Sequence, residues 1–291
     1  LKTIVFINPS SAGGRALEAK EKIESCLSGS GLEYRLHITG SLEDMKQTIR
    51  DYLPTDYTNF VGAGGDGTAH YLVNELADTD KTVGIIPMGS GNDIALNLGI
   101  PLDLEGSCKV ITSGRTKKLD LGIINDKYYY LCIAGSGFDS QVNDLANNTR
   151  FPVKGPSKYT YSVYKTLLTF RSKGFTFSYD GQVREMDGMM VAAANMPSYG
   201  GGMKIAPQAS PDSGLFDVCI IKRMTKLHFI QVFPKVYEGR HTDDPMVEIF
   251  KTDCLTLDSE YKFSVFADGE YICKLPATFK MAPGKIRFLV P

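Results

Sequence analysis

Two short strings in the first hundred residues have the composition of phosphate sites. Gly64-Gly65-Asp66-Gly67-Thr68 places glycines, a carboxylate and a hydroxyl within five consecutive positions. Glycines remove β-carbons, so phosphate oxygens can approach backbone amides closely. A carboxylate beside phosphates calls for a cation, and Mg²⁺ commonly takes one or two carboxylates plus phosphate oxygens. Pro87-Met88-Gly89-Ser90-Gly91-Asn92-Asp93 repeats the theme. Ser90 and Asn92 supply hydrogen-bond donors, and Asp93 a second carboxylate. A third string, Asn8-Pro9-Ser10-Ser11-Ala12-Gly13-Gly14, offers amides and hydroxyls. It has neither the Gly-Lys-Ser/Thr of a P-loop nor a GxGxxG. Taken singly, each string is also that of an ordinary turn from strand to helix.

The elements that must hold these loops alternate. Thr3–Ile7, Tyr34–Ile38, a strand ending at Phe60-Val61, and Val83–Ile86 read as strands. Ala16–Leu27, Leu42–Tyr52, Ala69–Leu76 and Ile94–Leu98 read as helices, with Thr68 placed to cap the third. This rhythm implies a parallel sheet with crossover helices, in which ligands bind beyond the carboxyl ends of the strands. All three loops follow strands and so converge on one edge.

The rhythm changes near Leu119. Leu121–Ile124, Tyr128–Ile133, Phe175–Tyr179, Met189–Ala194, Phe216–Ile221, Cys254–Leu257, Phe263–Ala267 and Ile286–Val290 read as strands. Two helical segments, about Ser157–Phe170 and Leu227–Tyr237, interrupt them. Consecutive strands with turn residues between them suggest an antiparallel sandwich or barrel. The expected fold class is therefore α/β with two domains. Residues 1–122 form a parallel-sheet nucleotide domain, and residues 123–291 a β-rich antiparallel sandwich.

Composition bounds the partners. The 291 residues carry 32 Lys+Arg against 33 Asp+Glu, so no global basic bias points to nucleic acid. The six cysteines show no CxxC spacing, which favours reduced thiols and a cytoplasmic protein. No apolar run approaches the ~20 residues of a membrane span. The four histidines are scattered, and no Gly-x-Ser-x-Gly elbow supports hydrolase chemistry. One local patch is basic. No acidic residue lies between Asp144 and Asp180, where Arg150, Lys154, Lys158, Lys165, Arg171 and Lys173 alternate with Phe151, Tyr159, Tyr161, Tyr164 and Phe170. Such a segment suits an anionic membrane surface, and equally an amphipathic helix packed on the β-rich domain.

The ordered set of motifs resembles the diacylglycerol kinase catalytic family, in particular soluble bacterial lipid kinases related to sphingosine and ceramide kinases. The motifs are the Asn8-Pro9 loop, Gly64–Thr68, Pro87–Asp93, Leu119-Asp120-Leu121-Gly122, Asn195 with Gly200-Gly201-Gly202, and Asp268-Gly269-Glu270. The resemblance implies an α/β nucleotide domain, a β-rich lipid domain and an active site in the cleft between them. It implies ATP and Mg²⁺, and transfer of the γ-phosphoryl group to a lipid hydroxyl, with diacylglycerol the leading acceptor. Asn8, Pro9, Ser10, Ser11, Thr39, Gly64, Gly65, Asp66, Gly67, Thr68, Ser90 and Asn92 match nucleotide-binding positions. Asp66, Asp93 and Asp120 match the acidic network around the catalytic Mg²⁺, directly or through water. Asp268, with Glu270 second, matches the general base. A structural Mg²⁺ in the second domain would fall on Asp212, Ser213 and Leu215, where Ser213 stands at the usual aspartate.

By spacing alone, Asp268-Gly269-Glu270 is a hairpin turn and Asp120 a linker residue. The leading expectation is a lipid kinase bound peripherally at the cytoplasmic membrane face. The alternatives are an NAD kinase-like enzyme with a soluble substrate and a catalytically silent lipid- or nucleotide-binding regulator. Diacylglycerol, monoacylglycerol, polyprenol, phosphatidylglycerol and sphingoid bases all stay open as acceptors, as does a homodimer through exposed strand edges.

Overall fold

The computed structural model describes residues 2–9, 18, 20–148 and 156–291, without the side chains of 148 and 156–159. Two compact units divide the chain. One is Leu1–Leu119 with Gly284–Pro291, the other Asp120–Pro283. The expected division after residue 122 assigns the last residues to the second domain. They return to the first because the end of the final strand pairs in parallel with a strand there, Arg287 opposite Thr82 and Phe288 opposite Val83.

The first unit runs β1 (Lys2–Ile7), α1 (Lys20–Ser28), β2 (Glu33–Ile38), α2 (Leu42–Tyr52), β3 (Asn59–Gly64), α3 (Asp66–Leu76), β4 (Thr82–Pro87), α4 (Asp93–Asn97) and α5 (Leu104–Ser113). Its sheet is parallel, in the order final strand, β4, β3, β1, β2. The central strands β3 and β4 are buried along their whole length, as strands covered on both faces must be. At the edge, β2 is half exposed. Helix α2 shows how local chemistry sets an element. Ser41 caps it by accepting from the Asp44 N–H at 3.1 Å, acids occupy the first turn and Arg50 the last. Met45 and Ile49, four apart, bury one face. Helix α3 lies tight on β3. A β-carbon on Gly62 would stand 2.9 Å from Leu72 Cδ1 and 3.0 Å from Thr68 Cγ2.

The second unit follows from β5 (Thr116–Ile124), along which the chain passes out of the first. It holds β6 (Tyr128–Tyr130), β7 (Ile133–Gly137), α6 (Phe138–Asn148), α7 (Pro156–Thr169), β8 (Lys173–Tyr179), β9 (Gln182–Ala194), β10 (Phe216–Lys222), α8 (Lys226–Val232), β11 (Val247–Thr252), β12 (Cys254–Asp258), β13 (Ser264–Ala267), β14 (Glu270–Lys274) and β15 (Ala277–Leu289). Its strands pair antiparallel, in the order β14-β13-β7-β9-β8-β12-β15, with β10 joining β9 to β11. Strand β9 serves two neighbourhoods. Gln182–Asp187 is exposed or half-exposed and, with Gly188, pairs with β8, while Met189–Ala194 is wholly buried between β7 and β10.

Helix α8 stops at Val232, short of the expected Tyr237. Pro234 lacks an N–H, and Phe233–Tyr237 continue as a 3-10 turn. No helix among the described residues is long and apolar enough to cross a membrane.

Candidate active site

The first unit gathers its loops at the carboxyl ends of β1, β3 and β4. The Asn8 N–H donates to Ala63 O at 3.1 Å, and the Met88 N–H to Gly64 O at 2.7 Å. The two glycine-rich loops touch backbone to backbone. A β-carbon on Gly89 would fall 2.5 Å from Gly65 Cα, so glycine is required there by contact with another chain segment. Asn92 holds the second loop in shape. Its φ is 55°, left-handed, a conformation asparagine tolerates. Its side-chain amide accepts from the Gly89 N–H at 2.7 Å and donates to Gly89 O at 3.1 Å.

These contacts bring two carboxylates together. Asp66 is the first residue of α3 and Asp93 the first of α4. Asp66 Oδ1 accepts from the Ile94 N–H at 3.0 Å, which ties the two helix starts. Asp66 Oδ2 and Asp93 Oδ2 each lie 3.1 Å from the point a Gly91 β-carbon would occupy. Two anionic oxygens therefore flank a gap left by a missing side chain. That gap suits a hard cation completed by phosphate and water oxygens, since Mg²⁺ rarely takes an all-protein cage. No group of three or more His, Cys, Asp or Glu that could hold a metal occurs among the described residues, so Asp66 and Asp93 stand as a pair.

Thr68 does not cap α3. The helix begins earlier, at Asp66, because the extended Gly65 presents its carbonyl to the Thr68 and Ala69 N–H groups. Thr68 stands in the first turn, buried, and its hydroxyl accepts from Asn8 Nδ2 at 3.4 Å. The Thr39 N–H and hydroxyl both donate to Ile7 O, at 3.0 and 3.1 Å, binding β2 to β1. Pro9 forms the turn after β1, and Ser90 is exposed. Ser10 and Ser11 lie outside the described residues.

In the second unit, Asp268 and Gly269 turn the hairpin between β13 and β14. Both are left-handed, φ 50° and 87°, as a two-residue hairpin loop of the mirror-image type requires. The Asp268 carboxylate reaches across to the bend after β6. Its Oδ2 accepts from the Leu131 N–H at 2.8 Å, and its Oδ1 from Cys132 at 2.8 Å and Ile133 at 3.3 Å. This splits the strand expected over Tyr128–Ile133 into β6 and β7. Glu270, two residues on, is half-buried at the start of β14.

Asp120 is buried and held by the turn at 211–215. Its N–H donates to Pro211 O at 2.7 Å, and its Oδ2 accepts from the Gly214 N–H at 2.7 Å. The positions expected for a structural cation lie in the same turn. Ser213 Oγ donates to Leu215 O at 2.9 Å, and Asp212 Oδ1 accepts from the Ser210 hydroxyl. The ligand positions expected for Mg²⁺ thus bond to one another and to a neighbour. Motif reading gives Asn195 no role, yet it joins these parts. Fully buried, its Nδ2 donates to Asp120 O at 2.9 Å and Leu131 O at 2.8 Å. A lone amide closing the apolar run of β9 is the signal that marks it. One buried acid lies apart. Burial pushes the Asp139 carboxyl up to about 7, against a partly opposing hydrogen bond from the Ser140 N–H.

Residues 2–124 match the diacylglycerol kinase catalytic domain, and residues 132–290 match the YegS C-terminal NAD kinase beta sandwich-like domain. A diacylglycerol kinase of Mycobacterium tuberculosis (strain ATCC 25618 / H37Rv) is 30% identical over 297 residues, covering 100% of this chain and 95% of its own. One from Staphylococcus aureus (strain Newman) is 28% identical over 279 residues, 94% of this chain and 88% of its own. The crystal structure of a putative diacylglycerol kinase from Bacillus anthracis str. Sterne superposes with a TM-score of 0.82 at 22% identity, covering 100% and 97% of the two chains. This last likeness speaks for the fold. The chain belongs to the diacylglycerol kinase catalytic family, among its bacterial lipid kinases. Membership makes it a kinase, with a nucleotide substrate and the divalent cation such enzymes ordinarily use.

Proposed function

We propose that this protein transfers the γ-phosphoryl group of ATP to a hydroxyl of a membrane lipid, with diacylglycerol the first candidate acceptor. The observation that carries the reading is the pair Asp66 and Asp93 flanking the gap at Gly91. Phosphoryl transfer demands mostly positioning and charge neutralisation. The loops at Asn8, Gly64–Thr68 and Gly89–Asn92 present backbone amides and hydroxyls to the nucleotide phosphates. Asp66 and Asp93 would hold Mg²⁺, directly or through water. When bound, the ion neutralises charge developing on the transferred group.

The acceptor hydroxyl must lose a proton to a carboxylate. Asp268 is the first expectation for that base, but it already receives three backbone N–H groups, and its carboxylate acts as a bracket for residues 131–133. Glu270 takes the proton, and Asp268 holds the hairpin that carries it. The test is transfer of labelled γ-phosphate from ATP-Mg²⁺ to a lipid panel in mixed micelles, with NAD as a soluble acceptor and Asp66→Ala beside wild type. Label in one lipid, lost in Asp66→Ala, is the expected result. Label in NAD alone, or transfer that survives Asp66→Ala, overturns the reading.

A further inference from the structure

Leu131 and Cys132 form the bend between β6 and β7, and both are buried. Their backbone groups must therefore find partners within the protein. Both N–H groups go to the Asp268 carboxylate, at 2.8 Å each. Both carbonyls go to Asn195. Its Nδ2 donates to Leu131 O at 2.8 Å, and its backbone N–H to Cys132 O at 2.8 Å, joined there by the Met196 N–H at 3.1 Å. The bend is thus held from two sides, by the β13–β14 hairpin and by the end of β9. The other Nδ2 donor reaches Asp120 O at 2.9 Å.

The residue type suits this task. Two carbonyls from separate segments need two N–H donors on one short side chain, and the asparagine amide supplies them. Aspartate, of the same shape, would set oxygens against both carbonyls, and glutamine would add a methylene where no surface is exposed. The amide leaves one debt: Asn195 Oδ1, buried as well, has no hydrogen-bond partner. Turning the amide over would bring that oxygen against the two carbonyls, so the orientation is fixed. One unpaired oxygen is accepted so that two carbonyls are paired.

Glu270 lies at the far end of this chain of contacts. It stands opposite Ala267 across the hairpin, one residue past the tip. The tip is tied to the bend by the Asp268 carboxylate and by the Asp268 N–H, which donates to Ile133 O at 3.1 Å. Where the bend goes, the tip follows. A base must stand within hydrogen-bond reach of the proton it takes, and a displacement of about 1 Å can cost about 10²-fold in rate. We infer that Asn195 is a positioning residue for phosphoryl transfer, which sets the hairpin presenting Glu270 through the bend at 131–133. This role rests on the reading of Glu270 as the base, whereas the tie between Asn195 and the hairpin does not.

The experiment is a double-mutant cycle of Asn195→Ala and Glu270→Gln, alone and combined, read by labelled γ-phosphate transfer at saturating ATP-Mg²⁺ and lipid. Asn195→Asp keeps the side-chain shape and repeats the cycle if the smaller variant does not fold. Amide exchange of wild type and the Asn195 variant, without nucleotide or lipid, is followed by mass spectrometry. Asn195→Ala should slow transfer about 10–100-fold with KM for ATP changed less than about twofold. In the Glu270→Gln background the same change should cost less than about threefold. Amides of 131–133 and 268–271 should exchange at least ~10-fold faster, and those of the first unit as before.

An equal loss in both backgrounds overturns the proposal, because the amide then acts elsewhere than on the base. Unaltered exchange over 268–271 overturns it too, whatever reaction the protein performs. Faster exchange with undiminished transfer makes Asn195 a structural tie and nothing more. Wild-type protein that transfers to no lipid, while exchange responds as expected, sinks the kinase reading and leaves the tie between Asn195 and the hairpin standing.

Discussion

Asp268 and Glu270 stand two residues apart in one hairpin, and their isosteric amides should fail in opposite ways. In Asp268→Asn the amide keeps one oxygen for the Cys132 and Ile133 N–H groups and turns an NH₂ toward the Leu131 N–H. One charge-assisted bond becomes a clash of donors, and a fully buried amide is left unpaired. Losing such a bond and stranding its partner costs roughly 2–4 kcal/mol. For 150–250 residues that lowers Tm by about 4–16 °C. Glu270→Gln changes a half-buried group and should move stability by no more than about 0.5 kcal/mol. Its effect falls on chemistry, since a positioned base contributes about 10²–10⁴-fold. Thermal melts of both variants beside wild type, with labelled transfer under saturating lipid, separate the two roles. Asp268→Asn that melts like wild type yet loses all transfer would refute this division, as would Glu270→Gln that retains full activity.

Two further outcomes follow from buried geometry. The Asp139 carboxyl is raised to about 7 by burial, so between about pH 4 and pH 7 the folded protein keeps a proton that the unfolded chain has released. The stability contributed by Asp139 is fully present below pH 4 and falls as pH rises through that window, by at most about 4 kcal/mol. Asp139→Asn should not share this fall, so urea melts of variant and wild type should diverge between pH 5 and pH 8; parallel curves would show that the carboxyl titrates normally. Gly91→Ala places a methyl group 3.1 Å from both Asp66 Oδ2 and Asp93 Oδ2. Half-maximal transfer should then need at least ~10-fold more Mg²⁺ with Tm little changed, and an unaltered Mg²⁺ titration would remove the pair as a cation site.

Local pattern made the first sheet legible. β1, β2 and β4 and helix α2 are bounded by turn chemistry and show clean periodicity, and α2 is found at the expected Leu42–Tyr52. Helix α5 is absent from the pattern reading although Asp103 caps it, accepting from the Gly106 N–H at 2.7 Å, and Gly114 ends it in the left-handed region. Its Gly106 and β-branched residues dilute the helical signal. Helix α6 escapes notice because it follows β7 directly, the strand ending at Gly137 and the helix starting at Phe138. The carboxylates of the site were legible as types, since Gly-Gly-Asp-Gly-Thr restricts what can stand beside it. Their roles were not. Whether Asp268 is base or bracket depends on N–H groups 135 to 137 positions away in sequence. No local pattern carries that information. The same holds for Asn195, whose partners Asp120 and Leu131 belong to other segments of the second unit.

The return of residues 284–291 to the first unit makes the second an insertion, entered along β5 and left along β15. A fragment cut after residue 122 would keep every helix of the first unit and lose the strand that covers β4. Thr82 and Val83 would then border an open edge of unpaired N–H and C=O groups, the usual template for pairing with another chain. Ribosomal synthesis meets the same circumstance. The first sheet is completed only after the last strand emerges, so the newly made first unit must wait, with one edge uncovered, while the whole second unit is synthesised.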